Sequence, residues 1–232
     1  MTHVFEEIFE CSPVALLVVD SEGRILHLNR HAESLFGYGR NELEGELIEA
    51  LVPDSQRARH PVLVQEFIAN PSPRQMGKGR ELFGIGKDGT RIPVEVGLNP
   101  IERDGKVLVL AAVVDITDRL RAEERFRGAV DAAPNGMLMI RSSGEIVLSN
   151  RQVEEIFGYS RDELLGQPVE ILVPDDIKLP HLEFVAGYLR DPKSRAMGAG
   201  RELFGRHKSG KMIPVEIGLQ PIENDGEVFV IG

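Results

Sequence analysis

A chain of 232 residues with 42% hydrophobic and 28% charged side chains has the composition of an ordinary soluble globular protein. Its formal net charge of -10 argues against a nucleic-acid partner, which needs a basic face, and its single cysteine, Cys11, excludes an intrachain disulfide and a thiolate metal cage. The longest apolar run, residues 107–114, is the length of a buried strand and far short of a membrane span, and the N-terminus lacks the basic flank and apolar core of a signal peptide.

Two strands are predicted first, over residues 15–20 and 24–28, joined by a glycine-containing turn. Asn29 is placed to cap a short helix that carries Ala32, Leu35 and Phe36 on one side. Gly37-Tyr-Gly39 ends that helix, and a further helical turn begins at Asn41. Leu51-Val-Pro-Asp54 leads into a longer helix that stops before Asn70-Pro-Ser-Pro73. Three more strands follow, over 79–85, 90–100 and 106–115, with Asp-Gly turns at 88–89 and 104–105 that supply the positive backbone angles of tight hairpins. A helix over 118–133, with imperfectly separated polar and apolar stripes, reads as a linker.

The same order then returns. A shift of 121 residues lays 5–111 on 126–232 without a gap, with about 48 of the 107 positions identical. Each copy, of roughly 105 residues, is a normal size for one domain. The predicted organisation is a first domain over 1–117, a helical linker over 118–125 whose helix continues to about 133, and a second domain over 126–232. Gly232 matches Ala111, so the second copy's last strand is cut short and the chain reads as a fragment of a longer protein. Strands and helices do not alternate as in a doubly wound sheet. The predicted fold class is therefore α+β: two copies, each a five-stranded antiparallel sheet with short helices packed on one face, joined by a helical linker.

Asn29-Arg-His-Ala-Glu-Ser-Leu-Phe-Gly-Tyr38, Leu43-Glu-Gly45, Lys87-Asp-Gly-Thr90 and Val114-Asp-Ile-Thr117 resemble the signatures of PAS sensory domains. The second copy matches with Asn150-Arg151, Phe157-Gly-Tyr159, Leu164-Leu-Gly166 and Lys208-Ser-Gly210. The resemblance implies a module that senses a small ligand, redox state or light and passes a conformational change to an output domain of the same chain, as in bacterial sensor histidine kinases of two-component systems. It further implies a cytoplasmic, non-enzymatic fragment that forms a homodimer through flanking helices, with Asp115, Ile116 and Thr117 as the relay junction. A full-length protein attached to a membrane is compatible with this. A ligand-free module that only dimerises and spaces its output domains is the competing reading.

The stretch from Arg59-His60 to Arg80 is similar to the heme-binding oxygen sensors of that family. The resemblance implies His60 and His181 as ligands of a heme iron, with Arg80 and Arg201 hydrogen-bonding a bound dioxygen; no other metal is expected. Neutral imidazole and guanidinium suit those tasks. Helical spacing groups His60 with Leu63, Val64 and Phe67, and His181 with Phe184, Val185 and Tyr188. Against this stands a core or capping histidine. Pro61 disfavours helical geometry at His60 and sets it at a helix start, and Pro180 puts His181 in a first turn. The long-helix region 55–69 has no cysteine, which argues against a covalent flavin. The glycine-rich segment 76–84 lacks a phosphate loop's Gly-Lys-Ser/Thr ending. Glu81, Glu95 and Glu102, with Glu202, Glu216 and Glu223, read as a solvated or ion-paired sheet face.

Overall fold

The computed structural model describes residues 2–77, 82–103, 105–197, 202–224 and 226–232, which divide into two units, Met1–Ala122 and Glu123–Gly232. Arg80 and Arg201 lie outside the described residues.

The first unit begins with helix α1 (Thr2–Cys11) and the hairpin β1 (Ala15–Val19) and β2 (Ile25–Leu28). Strand β1 alternates as its sequence demands: Ala15, Leu17 and Val19 are buried, and Leu16 and Val18 face the other way. Helix α2 (Arg30–Phe36) starts where the Asn29 side chain accepts the Ala32 amide and stops at Gly37, whose φ of 73° closes the helix. The short α3 (Arg40–Leu43), a 3-10 turn over Ile48–Leu51, α4 (Asp54–Arg57) and α5 (His60–Ala69) complete the helical layer.

The chain returns through β3 (Arg74–Met76), β4 (Phe83–Ile85), β5 (Arg91–Arg103) and β6 (Lys106–Asp115). The antiparallel order is β2-β1-β6-β5, with β3 and β4 both on the far side of β5. Strand β3 pairs with residues 96–98 and β4 with 91–93, so together they occupy one interrupted edge position. The sheet thus has the expected five positions, but its edge is split into two pieces. Leu17, Ile25, Leu28, Phe36, Leu43, Phe67 and Val94 fill the core between sheet and helices, with Leu82 packed against them.

Helix α6 (Thr117–Asp131) follows directly. The second unit repeats the order as β7 (Leu138–Arg141), β8 (Ile146–Ser149), α7 (Arg151–Phe157), α8 (Arg161–Leu164), a 3-10 turn over Val169–Leu172, α9 (Lys178–Arg190), β9 (Arg195–Met197), β10 (Leu203–Arg206), β11 (Met212–Val215), β12 (Ile217–Asn224) and β13 (Glu227–Ile231). Its main sheet runs β8-β7-β13-β12-β9, and β10 pairs with β11 separately because the long strand is interrupted at Glu216.

Candidate sensory and relay sites

His60 stands at the first position of α5, as Pro61 behind it requires, and His181 lies in the first turn of α9. Each ring is held by a carboxylate. His60 Nδ1 is 2.8 Å from Glu49 Oε1, and His181 Nδ1 is 3.0 Å from Glu170 Oε1. Both glutamates come from the 3-10 turns and are only 8% exposed. The pair therefore ties the start of the long helix to the turn eleven residues before it in both copies.

Leu63 and Phe184, expected on the inward face beside these histidines, instead face out, with 38% and 65% of their surface exposed. The inward stripe is His60, Val64, Phe67 and Ile68, and His181, Val185, Tyr188 and Leu189. The expected face was too wide by one position, and on these two helices Phe67 and Tyr188 are the buried residues.

Residue chemistry fits an axial imidazole. A carboxylate on Nδ1 fixes the ring and would leave Nε2 to any metal, the arrangement metal-bound histidines use. The Glu170 Oε2 atom is buried without a hydrogen-bond partner.

Two clefts are described, and both lie on the sheet faces turned away from the cores. In the first unit, a cleft of about 150 Å³ is lined by Gln75, Met76, Glu95, Gly97, Ala112 and Val114. Ala112 and Val114 alternate there with the buried Ala111 and Val113. In the second unit, an open trough of about 550 Å³ runs over Arg195, Gly218, Gln220 and Ile231. A methyl group on Gly97 would meet only Ala112, at 4.0 Å, and one on Gly218 would meet nothing within 4 Å. The glycines thus form the open floors of both clefts. Neither cleft is lined by His60 or His181.

The three junction residues come together at the base of α6. Asp115 ends β6 and its carboxylate accepts the Thr117 amide at 2.7 Å, satisfying one of the unpaired amides of the helix start. Ile116 donates its amide to the Pro93 carbonyl on β5, and Leu120 then bonds back to Ile116. Arg119, not singled out by the sequence, adds an ion pair of 2.7 Å to Glu95 on β5. Glu95 thus sits in the ion-paired sheet face expected of it.

Asn29, expected as a helix cap, and its counterpart Asn150 are each fully buried and bond four backbone groups. Asn29 accepts from the Leu16 and Ala32 amides and donates to the Phe9 and Val14 carbonyls. Asn150 accepts from Met137 and Val153 and donates to Val130 and Asn135. Glu49, Asn29 and Arg40 recur identically as Glu170, Asn150 and Arg161, a signal that was present in the repeat itself.

Among the described residues no group of three or more metal-ligating side chains occurs, and no helix is long and apolar enough to cross a membrane.

Comparison with known proteins identifies the family. The family model described as "PAS domain" matches residues 13–118, and the one described as "PAS fold" matches 124–232. The chain is 29% identical over 173 residues to the oxygen sensor protein DosP of Escherichia coli K12, covering 73% of this chain and 22% of that protein. It is 28% identical over 126 residues to the sensor protein FixL of Bradyrhizobium diazoefficiens, covering 54% of this chain and 25% of that protein. The crystal structure of a PAS domain of an HTR-like protein from Haloarcula marismortui is 27% identical, with a TM-score of 0.41, and covers 50% of this chain and 91% of that one. The chain spans no more than about a quarter of the length of these two curated relatives. It belongs to the PAS-domain family and consists of two PAS domains in tandem, similar to those of sensor proteins and histidine kinases.

Proposed function

We propose that this chain is the cytoplasmic sensory region of a larger signalling protein of the sensor histidine kinase type, relaying a small-ligand or redox state through its connecting helices to an output domain of the same chain. The observation that carries the reading is the junction at the base of α6. Asp115, Ile116 and Arg119 bond the helix start to both β5 and β6, so a change in sheet strain is felt by the helix. A ligand shifts the helix only by binding its two arrangements with different affinity. The domains work as a homodimer. Val4 and Ile8, one turn apart on α1, are 58% and 63% exposed and offer an apolar stripe for that contact.

The test is mass spectrometry of small molecules released on denaturing the purified chain, followed by amide hydrogen exchange with and without the molecule found. Sensing requires a bound molecule whose removal changes exchange at residues 115–120. If neither copy carries one and exchange there is constant, the ligand-free dimerising scaffold takes its place.

A second reading, heme sensing, is favoured by the paired His60–Glu49 and His181–Glu170 geometry and by the likeness to an oxygen sensor protein. His60 or His181 would hold the iron through Nε2, and the group would supply a site for a diatomic gas. Glu49 and Glu170 hold the rings in place for it. An absorption spectrum after adding hemin decides: a Soret band lost in His60→Ala or His181→Ala supports it, and no band removes it.

A further inference from the structure

Helix α6 is bonded at both of its ends, and the two sets of bonds differ in kind. Its start is tied to β5 through Ile116 and Arg119. At its end, the Val130 carbonyl takes a hydrogen bond of 3.0 Å from Asn150 Nδ2. Asp131, the last helical residue, accepts both the Arg161 guanidinium and, at 3.2 Å, the Arg151 amide at the start of α7. A helix end presents unpaired carbonyls and a partial negative charge. One buried amide and one guanidinium answer both, and the carboxylate of Asp131 adds a second charge for the guanidinium to meet.

Arg161 does not stop at the helix. Its Nε donates to the Ser149 carbonyl at the end of β8, at 3.0 Å, and its backbone amide donates to Glu154 on α7, at 2.6 Å. One residue thus bonds the helix end, the sheet and α7. The first unit repeats the arrangement on α1 without the bond to the sheet, Arg40 Nε being buried with no hydrogen-bond partner. Asn29 donates to the Phe9 carbonyl, Arg40 meets Glu10 at 2.7 Å and Glu33 at 3.2 Å, and the Arg30 amide reaches Glu10 at 3.2 Å. Glutamate replaces aspartate, but the acid occupies the equivalent last turn.

We propose that Asn150 and Arg161 form a clamp that receives the displacement of α6 and passes it into the second domain, with Asp131 as the group it grips; Asn29, Arg40 and Glu10 form the same clamp on α1. These are positioning residues, and the proposal rests on the sensory-relay reading. Asp115–Thr117 is then the sending end of α6 and the clamp its receiving end.

The test perturbs one end and reads the other. Arg119→Ala removes the ion pair at the start of α6, and amide exchange is followed by mass spectrometry over 146–157, which spans β8 and α7. In the otherwise unchanged chain, and in an Asp131→Glu background that keeps the acid, Arg119→Ala changes exchange there by about threefold or more. In Arg161→Gln and in Asp131→Ala backgrounds the same change falls below about 1.5-fold. Persistence of the response in both broken backgrounds overturns the proposal, because the residues would then only stabilise the fold. Absence of any response in the unbroken chain, or its loss in Asp131→Glu, overturns it equally. None of these outcomes bears on whether the domains bind a ligand, which the released-molecule experiment decides separately.

Discussion

Lys208 and Glu163 show how little surface a residue needs to leave a measurable trace. Lys208 Nζ lies 2.5 Å from Glu163 Oε1 and 5.7 Å from the centre of the Tyr159 ring, and Lys87, Glu42 and Tyr38 repeat the arrangement. The Lys208 ammonium, then the Ser160 amide, holds the Glu163 carboxyl down at about 2 from its ordinary 4.5. Lys87 and the Gly39 amide likewise lower Glu42. A carboxyl lowered in the folded state contributes stability that is present above 4.5 and lost as the pH falls from there toward 2. Carbon NMR titration should place the Glu163 midpoint near 2, and Lys208→Ala should return it toward 4.5. Water screens an exposed pair, so Lys208→Ala should cost the fold only modestly at neutral pH, and that cost should shrink as the pH falls below 4.5. Asn29 is the opposite case. Its replacement by alanine strands four backbone partners, two donors and two acceptors, and should cost the first domain about 3 kcal/mol in urea unfolding followed by circular dichroism.

Among the elements, β4 is set by what its own middle residue lacks. Gly84 lies against the Phe36 ring, and an added methyl would stand 2.7 Å from its Cε1; Gly205 meets Phe157 in the same way at 2.5 Å. Phe36 is itself buried in the core cluster, so its ring can yield only by displacing core neighbours. Gly84→Ala should therefore destabilise the first domain by about 1–3 kcal/mol. Gly97→Ala, on the opposite face, should lie within about 0.5 kcal/mol of the parent and fill part of the outer cleft. Thermal unfolding of the two variants separates these expectations. The elements also divide by how readable they were. Alternation in Ala15–Val19, the Asn29 cap, the Gly37 stop and the Asp-Gly turns are local, and each element they define lies within a few residues of its predicted place. The three-residue β3 has no alternation of its own and exists only because residues 96–98 offer it an unpaired edge. The His60–Glu49 pair was half legible. The histidine drew notice through its helix, but Glu49 looked like any surface acid in a short turn, and only tertiary packing buries it. Arg119–Glu95 and Arg161–Asp131 were hidden for the same reason: charge patterns along one helix do not say which strand or helix will supply the partner.

For the whole molecule, the repeat makes a thermodynamic demand. Each unit has its own buried cluster, and α6, which joins them, has no buried residue. Separate cores linked by an exposed helix unfold as separate cooperative units. They are not equal. Among the described residues the first cluster contains fourteen buried hydrophobic side chains and the second seven, with Phe157 and Leu138 only partly covered where Phe36 and Leu17 are fully buried. Buried apolar surface is the main stabilising term, so the second domain should unfold at lower denaturant. Hydrogen exchange in increasing urea should show residues 138–231 losing protection before residues 15–115. A single shared transition would mean that α6 couples the two cores strongly enough to make them one folding unit. That result would change how a relay could work. Two independently stable domains pass a signal by shifting a helix between two arrangements, each domain remaining folded throughout. One cooperative unit would have to pass it by loosening both cores together, and the loss of protection on ligand release would then extend into the buried strands instead of stopping at the two ends of α6.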